Sequence, residues 1–257
     1  MANVRDGWER RLARPAASIP HGNAPSALFG LFLASAGLYM PAALILGLEP
    51  QVPLLALACL AAFYRLAMRG LSGYPHPRFG YANTVTAARA ALACLAGAIA
   101  LCADGFLRNG PLVIFLIGLA TVALVLDGLD GFLARRFGEV SDFGARFDME
   151  TDAFLILVLS LAAVTLNKAG PWILAIGLMR YAFIAGQWLV PRLKAPLPPS
   201  FRRKLICVLQ VVALLALMLP AVTSPLSDAI AALALAALIF SFGADCLYLL
   251  RRRQEVG

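Results

Sequence analysis

Four aspartates stand where an apolar helix has no use for them. Asp127 and Asp130 close one hydrophobic run, and Asp148 and Asp152 open the next. An ionised carboxylate at the centre of a membrane helix costs about 2.5–3.5 kcal/mol, and less near the interface. Four of them at one end of a hairpin need compensation from something cationic. Positions 127, 130, 131 and 134 share one helical face, and 148 and 152 share another. The 14 residues from 134 to 147 read as a link that lets the two helices pack antiparallel and bring the carboxylates together. Converging carboxylates repel one another, so they are partly protonated or hold divalent cations. Oxygen-only donors suit Mg²⁺, Mn²⁺ or Ca²⁺ rather than zinc. Gly131, bare of a side chain, lets a substrate approach the helix backbone. Arg135 offers a planar donor to a phosphate oxygen.

The elements that must carry these residues are membrane helices. The 257-residue chain is 61% hydrophobic and 14% charged, against roughly 45–50% and about 25% in soluble domains. That excludes a soluble enzyme, a disordered chain and a disulfide-stapled secreted domain. A helix needs about 20 apolar residues to cross a bilayer core. Eight such runs occur, near 27–47, 52–69, 84–104, 111–133, 148–167, 171–190, 204–222 and 228–250, most of them separated by Pro or Gly. Long runs without alternation do not suit a lipid-facing barrel. The predicted fold is therefore all-α, a polytopic bundle of about eight transmembrane helices.

Residues 1–26 read as a cytoplasmic arm with no secretory signal, and 251–257 as a basic cytoplasmic tail. Of the 22 Lys and Arg residues, all but Arg108, Lys168 and Arg180 fall in the N-terminal arm, the tail and the stretches around 65–89, 135–146 and 192–204. This places both termini and the carboxylates on the cytoplasmic side of an inner membrane. It also accounts for most of the net charge of +8 without nucleic acid. The five cysteines, scattered in apolar runs, read as small buried hydrophobes.

The pattern D-x2-D-G-x2-A-R-x8-G-x3-D-x3-D is filled by Asp127, Asp130, Gly131, Ala134, Arg135, Gly144, Asp148 and Asp152. It resembles the signature of the CDP-alcohol phosphotransferases. Upstream, Asn83-Thr84-Val85-Thr86-Ala87-Ala88-Arg89 resembles the N-x2-T-x2-R that opens that family's first core helix. The resemblance covers residues 78–250 as the six-helix membrane domain and leaves 27–69 as an extra N-terminal transmembrane hairpin. It implies phosphatidyl transfer from a CDP-linked lipid, most often CDP-diacylglycerol, to a small alcohol, with release of CMP. It further implies two Mg²⁺ or Mn²⁺ ions on Asp127, Asp130, Asp148 and Asp152, with Asp152 as general base. The CDP-lipid would meet Asn83, Thr84, Val85, Thr86, Gly131, Ala134, Arg135, Ser141 and Gly144, and the family precedent is a homodimer.

The acceptor stays open. Arg180 lies within an apolar run, while Arg202, Arg203 and Lys204 open the following one, with Gln210 further in. Arg180, Arg203 and Lys204 are the candidates to hold a phosphorylated polyol such as glycerol 3-phosphate. Against that role, Arg180 would pair with a helix carboxylate such as Asp245. Family members using glycerol 3-phosphate carry Lys directly after the last motif Asp, and here that residue is Ala153. Glu139 and Asp142 read as solvated loop charges. Two other classes use intramembrane carboxylates: prenyltransferases, whose two Asp clusters lie on well-separated helices, and ion-coupled transporters, whose sites lie near the midplane.

Overall fold

The computed structural model describes residues 23–71, 74–102, 110–195, 197–198 and 200–251. Residues 1–22 of the expected arm, Arg108, and 252–257 of the basic tail lie outside them. Each apolar run forms one helix: α1 Ala24–Leu46, α2 Gln51–Arg69, α3 Tyr81–Cys102, α4 Gly110–Phe137, α5 Asp142–Thr165, α6 Leu174–Leu189, α7 Phe201–Met218 and α8 Leu226–Arg251. A 3₁₀ turn, Pro171–Ile173, leads into α6, and there is no strand among the described residues. Six helices are long and apolar enough to cross a membrane, α6 together with its leading turn. The remaining two carry charge: Asp148, Glu150 and Asp152 on α5, and Arg202, Arg203 and Lys204 on α7. The chain is thus an all-α integral membrane protein.

The expected 14-residue link does not exist. Helix α4 runs on to Phe137 and α5 begins at Asp142, so only residues 138–141 join them. Nor do the two Asp-bearing helices pack on each other. Helix α3 lies between them, packed closely against both, while α4 and α5 scarcely touch. Composition explains why α3 takes the centre. Its buried residues include Ala87, Ala90, Ala93, Ala96, Gly97 and Ala100, so neighbouring backbones approach closely. A Cβ on Gly97 would come within 3.0 Å of the Val158 side chain of α5. On the far side of α5, Gly177 of α6 is tighter still: its Cβ would lie 2.5 Å from the Leu157 Cα, a backbone atom that cannot move aside.

The N-terminal hairpin is fastened to α3 by polar side chains. The buried Tyr64 hydroxyl donates to the Ala87 carbonyl at 2.9 Å, and Tyr39 donates to the Ala91 carbonyl at 2.6 Å. The Phe79 N–H, just before α3, donates to the Asn23 side chain at 2.8 Å. At the opposite end of the bundle, the Lys168 ammonium donates to the carbonyls of Leu219 and Val222 and ties the turn after α5 to the turn after α7. Side-chain hydrogen bonds between membrane helices contribute about 0.6 kcal/mol on average. The double variant Tyr39→Phe/Tyr64→Phe should therefore lose about 1 kcal/mol of unfolding free energy in a detergent denaturation titration. An unchanged midpoint would mean that apolar packing alone seats the hairpin.

Candidate active site

Arg89 of α3 is the residue around which the site is assembled. Its side chain is 1% exposed. Nε donates to the Ala123 carbonyl of α4 at 3.1 Å. Nη1 donates to Asp130 Oδ2 at 2.7 Å and to Asp148 Oδ1 at 2.6 Å. Nη2 lies 2.7 Å from Asp127 Oδ1 and donates to Asp152 Oδ1. Four hydrogen bonds and the ion pair to Asp127 thus set five oxygens around the guanidinium. Four carboxylates from two helices that scarcely touch are gathered by one cation on the helix between them.

Charge within this group does not balance. One guanidinium against four carboxylates leaves a formal excess of three negative charges. Thr86, one turn before Arg89, donates to Asp130 Oδ2 at 2.9 Å and relieves that group without adding charge. One oxygen from each of Asp127, Asp148 and Asp152 lies within 4.8 Å of the others. Hard oxygen donors at that spacing, still carrying net negative charge, fit a divalent cation of the Mg²⁺ or Mn²⁺ type. Asp130 stands apart from this trio, buried and held by Thr86 and Arg89. Cys207 of α7 closes another side, its Sγ 3.6 Å from Asp152 Oδ2. Half-buried and packed against the apolar core as expected, it is also a wall of the site.

The loop before α3 and the turn before α5 lock together. Asn83 is buried and donates to the Tyr74 hydroxyl at 2.8 Å and to the Phe79 carbonyl at 2.6 Å. Burial, reinforced by the Glu139 carboxylate, pushes the Tyr74 hydroxyl above its ordinary range, while the Asn83 bond works the other way. Glu139 is not a free loop charge. Its Oε2 accepts the Ala82 N–H at 3.0 Å, satisfying a first-turn donor of α3 where a negative charge is favoured. Gly80 makes room for it: with φ +85° and a would-be Cβ 2.8 Å from that carboxylate, the position suits glycine alone. Ser141 caps α5 by accepting the Gly144 N–H at 3.1 Å. A Cβ on Gly144 would sit 3.0 Å from Asn83 Oδ1.

The remaining candidates are more dispersed. Thr84 bonds back to the Gly80 carbonyl. Val85, Gly131 and Ala134 are half-buried, and Arg135 is exposed. Arg180 pairs with Glu150 at 2.6 Å, not with Asp245. Glu150 projects from α5 about 200° round the helix from Asp148, so this pair belongs to the other face. Asp245 of α8 takes Arg202 and, at 3.3 Å, Arg203. Arg203 also donates to the Pro198 carbonyl, and Lys204 is exposed. Gln210 is fully buried and donates to the Ala234 carbonyl at 2.9 Å.

With this geometry in place, comparison with known proteins is informative at the family level. Residues 79–242 match the family described as CDP-alcohol phosphatidyltransferase. No curated protein and no solved structure is matched.

Removing one partner of a buried ion cluster costs about 3–5 kcal/mol because the other charges are left uncompensated. Arg89→Met should lower the unfolding midpoint in detergent accordingly, and added Mg²⁺ should restore more of it in the variant than in the native chain. Equal Mg²⁺ responses would separate the cation from these carboxylates.

Proposed function

The chain belongs to the CDP-alcohol phosphatidyltransferase family, and from that membership we propose that it transfers the phosphatidyl group of CDP-diacylglycerol to a phosphorylated polyol at the Arg89–carboxylate cluster. The family supports phosphatidyl transfer in lipid biosynthesis. The observation that carries the finer reading is the excess negative charge on clustered hard oxygen donors, which is what a diphosphate substrate must be matched to through cations. Asp127, Asp148 and Asp152 would hold the divalent ions, with Asp130 fixing the arrangement from behind. When bound, such ions supply charge compensation for the diphosphate and for the departing CMP.

The chain's own groups do the rest. Asp152 takes the proton from the acceptor hydroxyl. The acceptor oxygen forms a bond to the β-phosphorus, the bond from that phosphorus to the bridging oxygen breaks, and CMP leaves with the electron pair. Asp152 suits the role because it is partly exposed and its Oδ2 has the weak Cys207 thiol as its hydrogen-bond partner among the described residues. Gly131 lies on the helix face of Asp127 and Asp130, and the Arg135 guanidinium lies over it, its Nη1 3.4 Å from where a Cβ would stand, so that both would meet the CDP-lipid head. Asn83, Thr84 and Ser141 frame the same end of the bundle. Arg203 and Lys204 at the start of α7 are read as the acceptor's phosphate contacts; Arg180, paired with Glu150 on the other face of α5, is left out of that set. The concentration of basic residues at this end favours the cytoplasmic side of an inner membrane, and the family precedent favours a homodimer.

Purified protein in liposomes should release CMP from CDP-diacylglycerol only with Mg²⁺ or Mn²⁺ and one acceptor of a panel containing glycerol 3-phosphate, inositol phosphate and unphosphorylated alcohols. A positioned base contributes about 10²–10⁴ in rate. Asp152→Asn should lose that much turnover while still binding CDP-diacylglycerol; full turnover would remove it as the base. Lys204→Ala should raise KM for the acceptor and leave KM for the CDP-lipid unchanged, and the reverse would place the acceptor elsewhere.

A further inference from the structure

Helix α5 has a second face, and what it encloses has no part in the reaction above. A cavity of about 490 Å³ lies between α2 and α5 with Tyr181 of α6 at one edge, within the roughly 300–1,000 Å³ of typical ligand pockets. From α2 it is lined at positions 59, 62, 63, 66, 67 and 70, and from α5 at 143, 146, 147, 150 and 154. Both sets are single helical stripes. Each spans twelve residues, about 16 Å of helix. The stripes run antiparallel: Gly70 lies beside Phe143, and the Phe63 ring meets Phe147 and Phe154. The resulting slot is long and narrow, and the Asp148–Asp152 turn of α5 falls within its length, not at its Gly70–Phe143 end.

Its lining carries two charged side chains, Arg146 and Glu150. Arg146 stands near the Gly70–Phe143 end with no ion-pair partner among the described residues, and Glu150, one turn further in, is neutralised by Arg180 at 2.6 Å. The charge presented to an occupant is therefore positive. Leu66, on the lining, is 60% exposed, so the slot opens towards lipid. Asp148 and Asp152 point to the opposite side of α5, which separates the slot from the site of transfer. One wall, α2, also precedes the residues that match the family.

We propose that this slot is a binding site for an anionic membrane phospholipid, with one acyl chain between α2 and α5 and its phosphate on Arg146. Charge complementarity selects the occupant: an apolar trough about as long as an acyl chain, with a single uncompensated cation at its interfacial end. The proposal does not depend on the acceptor or metal assigned above.

The test is native mass spectrometry of the full chain in detergent, titrated with phosphatidylglycerol or phosphatidylcholine. Native protein should retain one phosphatidylglycerol per chain in preference to phosphatidylcholine. Arg146→Gln should cut phosphatidylglycerol retention about tenfold, the loss of one charge-assisted contact, and leave phosphatidylcholine unchanged. Ala67→Trp fills the slot and should abolish retention of both. Ala62→Phe, at an exposed lining position, tests the same point should the Trp variant fail to fold. Retention unaffected by all three variants overturns the proposal. So does a change in oligomer mass without a change in lipid, which would make a second copy the occupant. A parallel rise in KM for CDP-diacylglycerol overturns it too, since the slot would then hold the substrate's own chain.

Discussion

A single buried guanidinium facing four carboxylates constrains nearly everything else in this chain. Arg89 can satisfy four acids from two helices only if its own helix lies between them. Helix α3 is accordingly the most enclosed element, and α4 and α5 are arranged on its two sides. The small side chains that let them close on α3 are a consequence of this placement. Larger residues at Ala90, Ala93 or Gly97 would hold the acids beyond the reach of the guanidinium, whose length is fixed. The hydrogen bonds from Tyr64 and Tyr39 fall two residues before and two after Arg89, so the extra hairpin grips α3 at the turn that bears the counter-ion.

Neutralisation by Arg89 is incomplete, and its incompleteness shapes the chemistry. A cluster with as many cations as acids would be an inert structural knot. A formal excess of three negative charges, on oxygens that are partly open, leaves a donor set that could hold a cation. Asp130 shows the division of labour within the group. It is the most enclosed of the four, shared by Thr86 and Arg89, and serves as the fixed point against which the more open Asp127, Asp148 and Asp152 are set.

The sequence carried the carboxylate spacing, the eight helices and the all-α class, because apolar run length and i, i+3, i+4 periodicity are local properties. It also carried the N-x2-T-x2-R segment as part of a family pattern. What it did not reveal was that Arg89 stands at the centre of the acids. That depends on α3 inserting between α4 and α5, a packing choice that no single segment encodes. The supposed 14-residue link was misread for a similar reason. Arg135, Arg136, Glu139 and Asp142 look like loop composition, yet they sit on or between helix ends that extend past the apolar runs. Glu139 read as solvent-facing because its partner, the first turn of α3, is remote in sequence. Gly80 was the available signal, since a glycine ahead of a helix start can mark a close approach. The pairing of Arg180 with Glu150 was equally hidden, as the sequence offered several acids at comparable depth.

Helix α5 shows how one element meets two demands that the bilayer sets against each other. Its Asp148–Asp152 face must be polar and enclosed. Its opposite face, with Phe143, Phe147 and Phe154, must be apolar to stay in the membrane. Glu150 breaks that second face, and a lone carboxylate there would carry the cost of an unpaired intramembrane charge. Arg180 removes that cost by pairing with it. The acid's position between Asp148 and Asp152 in sequence therefore misleads, since alternate residues on a helix point nearly opposite ways. Arg146, one turn earlier on the same apolar face, has no such partner among the described residues. The result is a helix whose inner face holds surplus negative charge and whose outer face holds surplus positive charge at the same height. Both surpluses lie towards one end of the bundle, the inner one enclosed against α3 and the outer one open to the surroundings of the helix.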